Sequence, residues 1–461
     1  MLLSDIFNHD FSHVHFIGIG GISMSGLAEI LLNEGYRVTG SDMKDSPIIS
    51  KLRKKGATVF IGHDDNNLSD ADLVVYTDAI SDDNPEFIEA NKRGITVIDR
   101  GSFLGQLMRT YENSIAVSGT HGKTTTTGMI SIILDKSTLD PTILLGGELD
   151  QIGGNVRLGK DSYLLAEACE YKGNILKFFP SIGIILNIEE DHLDFFKDLN
   201  HIIETFTSFA ESIPKSGYLV LNNDDVNVAH IKDSANCNIV TFGIENDSTY
   251  QAKNIEFDDN GMPKFSLVID GNSYEANLSV MGIHNIYNSL AAIASTHICG
   301  VPLETIINSI QLYTGTHRRL EHKGSYNGIG IIDDYAHHPT AVKATLSSIQ
   351  KIAKNDVWCV FQPHTYTRTN ALLDEFTESF DNANKVIISD IYAAREKDTG
   401  LVHSKDLVNN LKERNVDAVY IKDFEDIAGY LLDNCKEGDI VLTMGAGDIY
   451  TVGEILLDKV K

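Results

Sequence analysis

Positive charge is scarce in this 461-residue sequence: 38 Lys and Arg stand against 65 Asp and Glu, a net charge of −27. A surface that acidic repels polyanions, which argues against nucleic acid and anionic membranes as general partners. A small anionic substrate stays open, because local Lys, Arg and backbone N–H groups decide its binding. Cysteine is scarce too. Cys169, Cys237, Cys299, Cys359 and Cys435 are odd in number and no two form a CxxC pair. Neither a disulfide framework nor a zinc ribbon is expected, and a reducing compartment fits. No apolar run approaches the about 20 residues needed to cross a bilayer. The opening stretch MLLSDIFNHDFSHVHF has acids and histidines where a secretory signal would carry a basic region and a long apolar one. Internal repeats and low-complexity tracts are missing as well. A soluble, cytoplasmic protein is expected.

What is present is ordinary globular composition, with 42% apolar and 22% charged residues. The length suits about three domains. Apolar strand-like runs alternate with helix-like segments, the βαβ pattern of parallel sheets covered by helices. In the first hundred residues, His15–Ile19, Arg37–Gly40 and Asp72–Tyr76 read as strands. Ile22–Asn33 puts Met24, Leu27, Ile30 and Leu31 on one helical face. A second unit begins with strand Ser114–Val117 and helix Thr125–Leu134, followed by strands Tyr163–Glu167 and Ile182–Leu186. Residues 246–280 carry the turns Asp259-Asn260-Gly261 and Asp270-Gly271-Asn272 and read as antiparallel strands or an excursion from the α/β core. Asn285–Ile298 is helical. A third unit has strands Ile329–Asp333, Val357–Phe361, Lys385–Ser389 and Asp439–Thr443. The expected architecture is three α/β domains: 1–108 and 317–461 Rossmann-like, 109–316 a P-loop ATPase-type domain on a parallel sheet.

The strongest local signal is SIAVSGTHGKTTTT, residues 114–127. A strand runs into a glycine turn and Lys-Thr opens a helix. Gly119 and Gly122 let backbone N–H groups approach phosphates, with Thr120 and His121 between them, and the helix N-terminus adds partial positive charge. Lys123 can reach the β- and γ-phosphates, and the hydroxyl of Thr124 or Thr125 can ligate Mg²⁺. Val117 stands where the first glycine of the usual pattern would be, so the match is imperfect. An ordinary strand–turn–helix junction is the bland alternative.

A second glycine turn, GIGGISMSGLA from Gly18 to Ala28, also joins a strand to a helix, and Asp42 ends the next strand. The pattern suggests a dinucleotide, but Ser23 occupies the third fingerprint position, so another nucleotide diphosphate fits equally. Two phosphate-binding turns imply two phosphorylated substrates, one more than a simple dehydrogenase needs.

Strand ends in parallel sheets face the ligand crevice. Ala166-Glu-Ala-Cys-Glu170 and Asn187-Ile-Glu-Glu-Asp-His-Leu-Asp194 are such ends. Glu167 and His192, with a Thr of the phosphate loop, are the candidate Mg²⁺ ligands. Glu170 and Asp194 are open between function and a solvated acidic loop. Asp333-Asp-Tyr-Ala-His-His-Pro339 gathers two acids and two histidines after a strand, and His337 or His338 could orient a substrate. The isolated His63, His201 and His322 receive no role. Neither G-x-S-x-G nor H-E-x-x-H occurs, which leaves no hydrolase or zincin motif.

Taken in order, HFIGIGGISMSGLA from His15, GTHGKTT from Gly119, Asn187 to Asp194, GIHNIYN from Gly282, HRRLE from His317, Asp333 to Pro339, and FQPH from Phe361 with Arg368 resemble the Mur ligases. These are ATP-dependent amino-acid ligases of peptidoglycan synthesis. The likeness spans nearly the whole chain. It implies a first domain for the UDP moiety, a central ATPase, and a third domain that receives the amino acid. It implies that Gly20, Gly21, Ser23 and Ser25 lie near the uridine nucleotide with Asp42, and that Asn285 contacts adenine. Arg319 would contact phosphate or the hinge, and Asp334 the ribose or the closing site. His338, His364 and Arg368 would face the amino acid. The implied catalytic residues are Lys123, His192 and His337, with ATP and Mg²⁺ as cofactors. Other Mur ligases carry a carbamoylated lysine in the region of His201 to Ala210, which has no Lys here; this suits the branch acting on UDP-N-acetylmuramate and L-alanine. A monomer or weak homodimer is expected. Two features depart from the pattern: Glu170-Tyr171-Lys172 replaces the acidic Asp-Glu-Ser-Asp run of many relatives, and Thr365 stands where many have Arg. The base that deprotonates the amine stays open between His192, His337 and a neighbouring carboxylate. The rivals are a ligase attaching a recycled peptide to the same sugar nucleotide, a nicotinamide-dependent oxidoreductase and a non-catalytic nucleotide-binding regulator.

Overall fold

The protein is described by a computed structural model at Leu3 and at residues 10–160, 162–394 and 396–459. Most of the opening stretch read above for a signal segment lies outside these residues. Continuous apolar runs become fully buried strands, as sheets covered on both faces require. The first sheet holds β1 (His13–Ile17), β2 (Arg37–Asp42), β3 (Thr58–Ile61), β4 (Leu73–Tyr76) and β5 (Thr96–Asp99), ordered β3-β2-β1-β4-β5. All its pairings are parallel. The strand order reverses between β1 and β4, so the glycine turn after β1 opens onto the switch point where ligands bind in such sheets.

The central sheet holds β6 (Asn113–Ser118), β7 (Thr142–Leu149), β8 (Gly154–Arg157), β9 (Tyr163–Glu167), β10 (Ile182–Ile185), β11 (Tyr218–Asn222) and β12 (Asn238–Gly243). Their order is β12-β11-β10-β6-β9-β7-β8, parallel except for β8. β13 (Tyr250–Phe257) joins β12 in parallel through Tyr250 and Gln251. Strand β6 is therefore flanked by β10 and β9. Everything that follows these three strands gathers at one edge of the sheet. The helix after β6 runs from Lys123 to Asp135, two residues earlier than its apolar period suggests, because Gly122 caps it at φ +85°. It is buried along nearly its whole length, through Met129, Ile130, Ile132, Ile133 and Leu134.

Contacts divide the chain into two compact units. The first comprises the chain up to Ile188 with Ile202–Gln251 and Ser289–Ile310, so the first two expected domains fall in one unit. Within it, the helix Arg100–Met108 packs on the segment Tyr171–Lys177 through glycines. A Cβ at Gly101 would lie 2.5 Å from the Asn174 Oδ1, and one at Gly105 only 1.8 Å from the Lys177 carbonyl oxygen. Lys177 also reaches Asp99 at 2.7 Å.

The second unit comprises Glu189–His201, Ala252–Asn288 and Gln311–Lys461. Its hairpin of β14 (Pro263–Ile269) and β15 (Asn272–Asn277) answers the antiparallel expectation. Asp270 and Gly271 take positive φ (49° and 77°) at its turn, as a two-residue hairpin loop demands. The sheet of this unit holds β16 (Glu321–Tyr326), β17 (Ile329–Asp334), β18 (Val357–Phe361), β19 (Lys385–Ile388), β20 (Ala418–Tyr420) and β21 (Ile440–Met444), ordered β16-β17-β21-β18-β19-β20. Only β16 runs antiparallel. Among the described residues, no helix is long and apolar enough to cross a membrane.

Candidate active site

The phosphate loop, residues 119–122, is held open by three neighbours. Gly119 has φ +132°, and a Cβ there would meet Leu186 and the Asn187 backbone at 3.0–3.1 Å. The Asn187 side chain clamps the loop: Oδ1 accepts from the His121 N–H at 2.7 Å and Nδ2 donates to its carbonyl at 3.1 Å. The Thr120 N–H donates to the Asn187 carbonyl at 3.0 Å. With its backbone so held, the loop ends at a helix N-terminus, a ready anion site.

Lys123 folds back over this loop, with Nζ 3.1 Å from the Thr120 carbonyl and 3.1 Å from the Glu170 carboxylate. Burial disfavours its ammonium, but the neighbouring anionic groups, Glu170 foremost with Cys169 and Glu167, together outweigh burial and the lysine pKa is raised. The lysine is thus a fixed positive charge at the loop. Glu170 is buried at 2% exposure, which resolves the sequence alternatives against a solvated loop. Beside it, the Thr124 hydroxyl donates to Glu167 Oε2 at 3.1 Å, and the Gly146 N–H donates to Glu167 Oε1 at 2.6 Å. The structure therefore brings together Lys123, Thr124, Glu167 and Glu170. His192, expected with Glu167, belongs to the second unit.

At the N-terminal turn, Gly18 has φ +83° and its N–H donates to the Ser41 carbonyl at 2.8 Å. The Gly20 N–H donates to the Asp42 carboxylate at 2.9 Å, so Asp42 and the turn meet as expected. Gly21 is exposed and Ser23 half-buried. Ser25 is fully buried, donates to the Ile22 carbonyl at 2.9 Å and accepts from Asn155 at 3.2 Å. Helical periodicity decides this: two residues beyond Ser23, the side chain turns to the face packed on β7 and β8. Of the histidines without a role, His63 lies 3.3 Å from buried Glu86 and His322 is exposed.

In the second unit, a cluster forms from Glu189–His201 and the ends of β17 and β18. Arg368 binds Asp191 through Nε and Nη2 at 3.0 and 2.7 Å, and its Nη1 lies 3.1 Å from His364 Nδ1. His364 stacks on Tyr392 and meets His337 edge-on at 5.5 Å between ring centres. His337 Nδ1 is 2.8 Å from the Tyr335 carbonyl, so that nitrogen carries the proton and Nε2 is the acceptor. Burial first, then the Arg368 charge, hold the His337 pKa well below the usual imidazole range, and the ring is neutral. His338 Nε2 is 2.9 Å from the Glu190 carbonyl. His192 sits at φ +54° and donates its N–H to Asp191 at 2.7 Å. Thr365 caps the helix Tyr366–Ala371 at φ +67°.

The remaining expected residues hold turns. Asp334 accepts from the Leu320 and Ala336 N–H groups at 2.7 and 2.8 Å. Burial raises its pKa against the pull of Arg319. The Arg319 guanidinium lies 4.9 Å over the Tyr335 ring. The Asn285 amide donates to Met281 and accepts from Asn288, at 2.7 and 2.9 Å.

Three family models match the chain in order. They are described as Mur ligase family, catalytic domain (residues 13–112), Mur ligase middle domain (117–296), and Mur ligase, glutamate ligase domain (318–447). A UDP-N-acetylmuramate–L-alanine ligase of Alkaliphilus metalliredigens is 51% identical over 458 residues, 99% of each chain. The chain belongs to the Mur ligase family. A second relative of that name, from Acetivibrio thermocellus, is 52% identical over 99% of this chain and 97% of its own. Among solved structures, this Mur ligase is similar to a UDP-N-acetylmuramate-alanine ligase of Thermotoga maritima, with TM-score 0.83 at 28% identity and coverage of 98% and 99%. A murein peptide ligase of Psychrobacter arcticus gives TM-score 0.74 at 27% identity, covering 97% and 98%.

The sequence reading of this Mur ligase assigned no role to Asn187 or Asp191. Asn187 was visible at a strand end, but its clamp on His121 needs β10 beside β6, which only the sheet order supplies. Asn187→Ala loses both hydrogen bonds to His121. The expected result is a rise in KM for ATP of about thirtyfold, from about 1 kcal/mol for each of the two bonds, with the affinity for the sugar nucleotide unchanged; steady-state kinetics and calorimetry check it.

Proposed function

We propose that this Mur ligase joins the carboxylate of UDP-N-acetylmuramate to the amine of L-alanine, with cleavage of ATP to ADP and phosphate. The reaction makes a peptidoglycan precursor. The observation that carries the substrate assignment is the 51% identity along 458 residues to a relative of that name. The geometry supports the chemistry. Lys123 at the helix N-terminus stabilises charge on the transferring phosphoryl oxygens. The sugar carboxylate attacks the γ-phosphate and becomes an acyl phosphate. The amine of L-alanine then adds, and phosphate leaves. The neutral His337 offers Nε2 to the amine, while Arg368, His364 and His338 face the amino acid's carboxylate. Gly20, Gly21, Ser23 and Asp42 hold the uridine nucleotide. Asn285, Arg319 and Asp334 serve ATP.

The Thr124 hydroxyl and the Glu167 carboxylate, 3.1 Å apart, are hard oxygen donors beside the phosphate loop. They fit Mg²⁺, which takes few protein ligands and keeps waters and phosphate oxygens. His192 is proposed as a further ligand. The ion would neutralise phosphate charge. The proposed domains are 1–108, 109–316 and 317–461, supported by the three model segments. A cytoplasmic location is proposed, with which the five free cysteines agree, and a monomer or weak homodimer is proposed with it.

Phosphate release with Mg²⁺, ATP, UDP-N-acetylmuramate and L-alanine, omitting each in turn, tests the proposal. Release that requires all four, with the sugar nucleotide gaining one alanine by mass, is expected. Release with a peptide but not with L-alanine would move the substrate to that of the murein peptide ligases.

A further inference from the structure

Arg318 stands at φ +62°, a left-handed backbone that a non-glycine residue keeps only where its surroundings hold it. Its side chain is held as well. Nε donates to the Asp333 carboxylate at 3.2 Å, and Nη2 donates to the Gly445 carbonyl at 2.7 Å. The guanidinium carbon lies 5.0 Å from the centre of the Tyr335 ring and 4.7 Å from that of Tyr450. Asp333 is 1% exposed, and its other oxygen accepts from the Thr443 hydroxyl at 2.7 Å. One side chain thereby ties the end of β17 to the turn after β21 and to the helix Tyr450–Asp458. The planar fork permits this, since it bonds along its edge while its faces lie against rings.

The backbone carries this hold towards the amino-acid site. The Tyr335 N–H donates to the Arg318 carbonyl at 2.7 Å, and the Tyr335 carbonyl accepts from His337 Nδ1 at 2.8 Å. The rings of Tyr335 and His337 also meet edge-on, 5.3 Å between centres. Tyr335 is therefore fixed by Arg318 at its ring and its N–H, and its carbonyl keeps the proton of His337 on Nδ1. A neutral imidazole carries a single N–H, so the nitrogen without it is the acceptor. Once the Tyr335 carbonyl moves away, the proton can pass to Nε2, and the acceptor becomes a donor.

Resting on the proposed reaction, we infer that Arg318 is a positioning residue for amine addition: through Tyr335 it keeps His337 in the tautomer whose Nε2 accepts from the amine of L-alanine. In that step the amine nitrogen bonds to the acyl carbon and sheds a proton to Nε2. Phosphate leaves with the electron pair of the broken C–O bond. Formation of the acyl phosphate needs no such tautomer and is served by Lys123, in the first unit.

The test compares wild type, Arg318→Ala and Arg318→Lys. It combines steady-state kinetics, calorimetry with ATP and with UDP-N-acetylmuramate, and nitrogen-15 NMR of histidine-labelled protein. The signal lost in His337→Gln identifies His337 in the spectra. For Arg318→Ala the expected result is a fall in kcat of about a hundredfold, the scale of one proton acceptor, with His337 shared between both tautomers. The affinities for ATP and UDP-N-acetylmuramate stay at their wild-type values. Arg318→Lys keeps a charge beside Asp333 but lacks the fork, and its kcat falls between the two. It carries the test if the alanine variant does not fold. Arg319 lies 4.9 Å over the same Tyr335 ring, so a loss of ATP affinity in step with kcat would overturn the assignment and give Arg318 to the nucleotide. A slow variant whose His337 keeps its proton on Nδ1 overturns the route through Tyr335. Wild-type kinetics in Arg318→Ala overturn any role in the reaction. A wild type that adds no L-alanine overturns the proposed reaction, and this role with it.

Discussion

Lys123→Ala stops ligation while the sugar nucleotide still binds. The side chain touches the two groups that define the phosphate loop, the Thr120 carbonyl and the Glu170 carboxylate, from the first residue of the helix. Phosphoryl transfer depends on charge placed in advance around the transferring group, and removal of one such donor costs about a hundred- to a thousand-fold in rate. Lys123 is also held charged by Glu170, so its loss leaves a carboxylate facing the phosphates as well as removing an ammonium. The expected fall in kcat is therefore about a thousand-fold or more. Calorimetry with UDP-N-acetylmuramate should return the wild-type affinity, because the turn from Gly18 to Ser23 lies on another sheet. Turnover near the wild-type rate would sink the assignment of this loop to ATP.

Asp191→Ala is expected to destabilise the second unit by about 3–5 kcal/mol, the cost of leaving a buried charge without its partner. The side chains of Asp191 and Arg368 are each 9% exposed, and two guanidinium nitrogens reach one carboxylate oxygen at 2.7 and 3.0 Å. Burial alone would raise the Asp191 pKa. The charges beside it, His192 and Arg368 foremost, hold it well below the usual range, so the carboxylate is charged at neutral pH. The double variant Asp191→Ala, Arg368→Ala should lose less stability than the sum of the single changes, because the second removes the charge that the first strands. Urea unfolding of the four proteins measures the coupling. Strict additivity would show that the pair contributes nothing.

Much of the fold was legible in the sequence because parallel strands buried on both faces must be apolar throughout. Val357–Phe361 and Tyr163–Glu167 fall where their runs place them. The ends of strands were legible less precisely, since hydrogen bonding extends β17 to Asp334 and β21 to Met444 without any change in hydropathy. Of the candidate site, the motif residues Gly119 to Thr124 were readable because glycine and lysine at fixed offsets serve a backbone geometry. The burial of Ser25 was not readable, because hydroxyls two residues apart look alike on paper and face opposite ways on a helix.

The sequence by itself determined the family and the two glycine turns, since each depends on residue types at short, fixed spacing. Tertiary structure alone decided which distant side chains meet. Glu170 pairs with Lys123, Glu167 with Thr124, Asn187 with His121, and Asp191 with Arg368. In the first three pairs, β9 and β10 lie on either side of β6. The fourth needs the segment Glu189–His201 to pack with the C-terminal sheet. Strand order is set by the burial of whole faces against helices, a sum over many weak contacts that no local motif encodes.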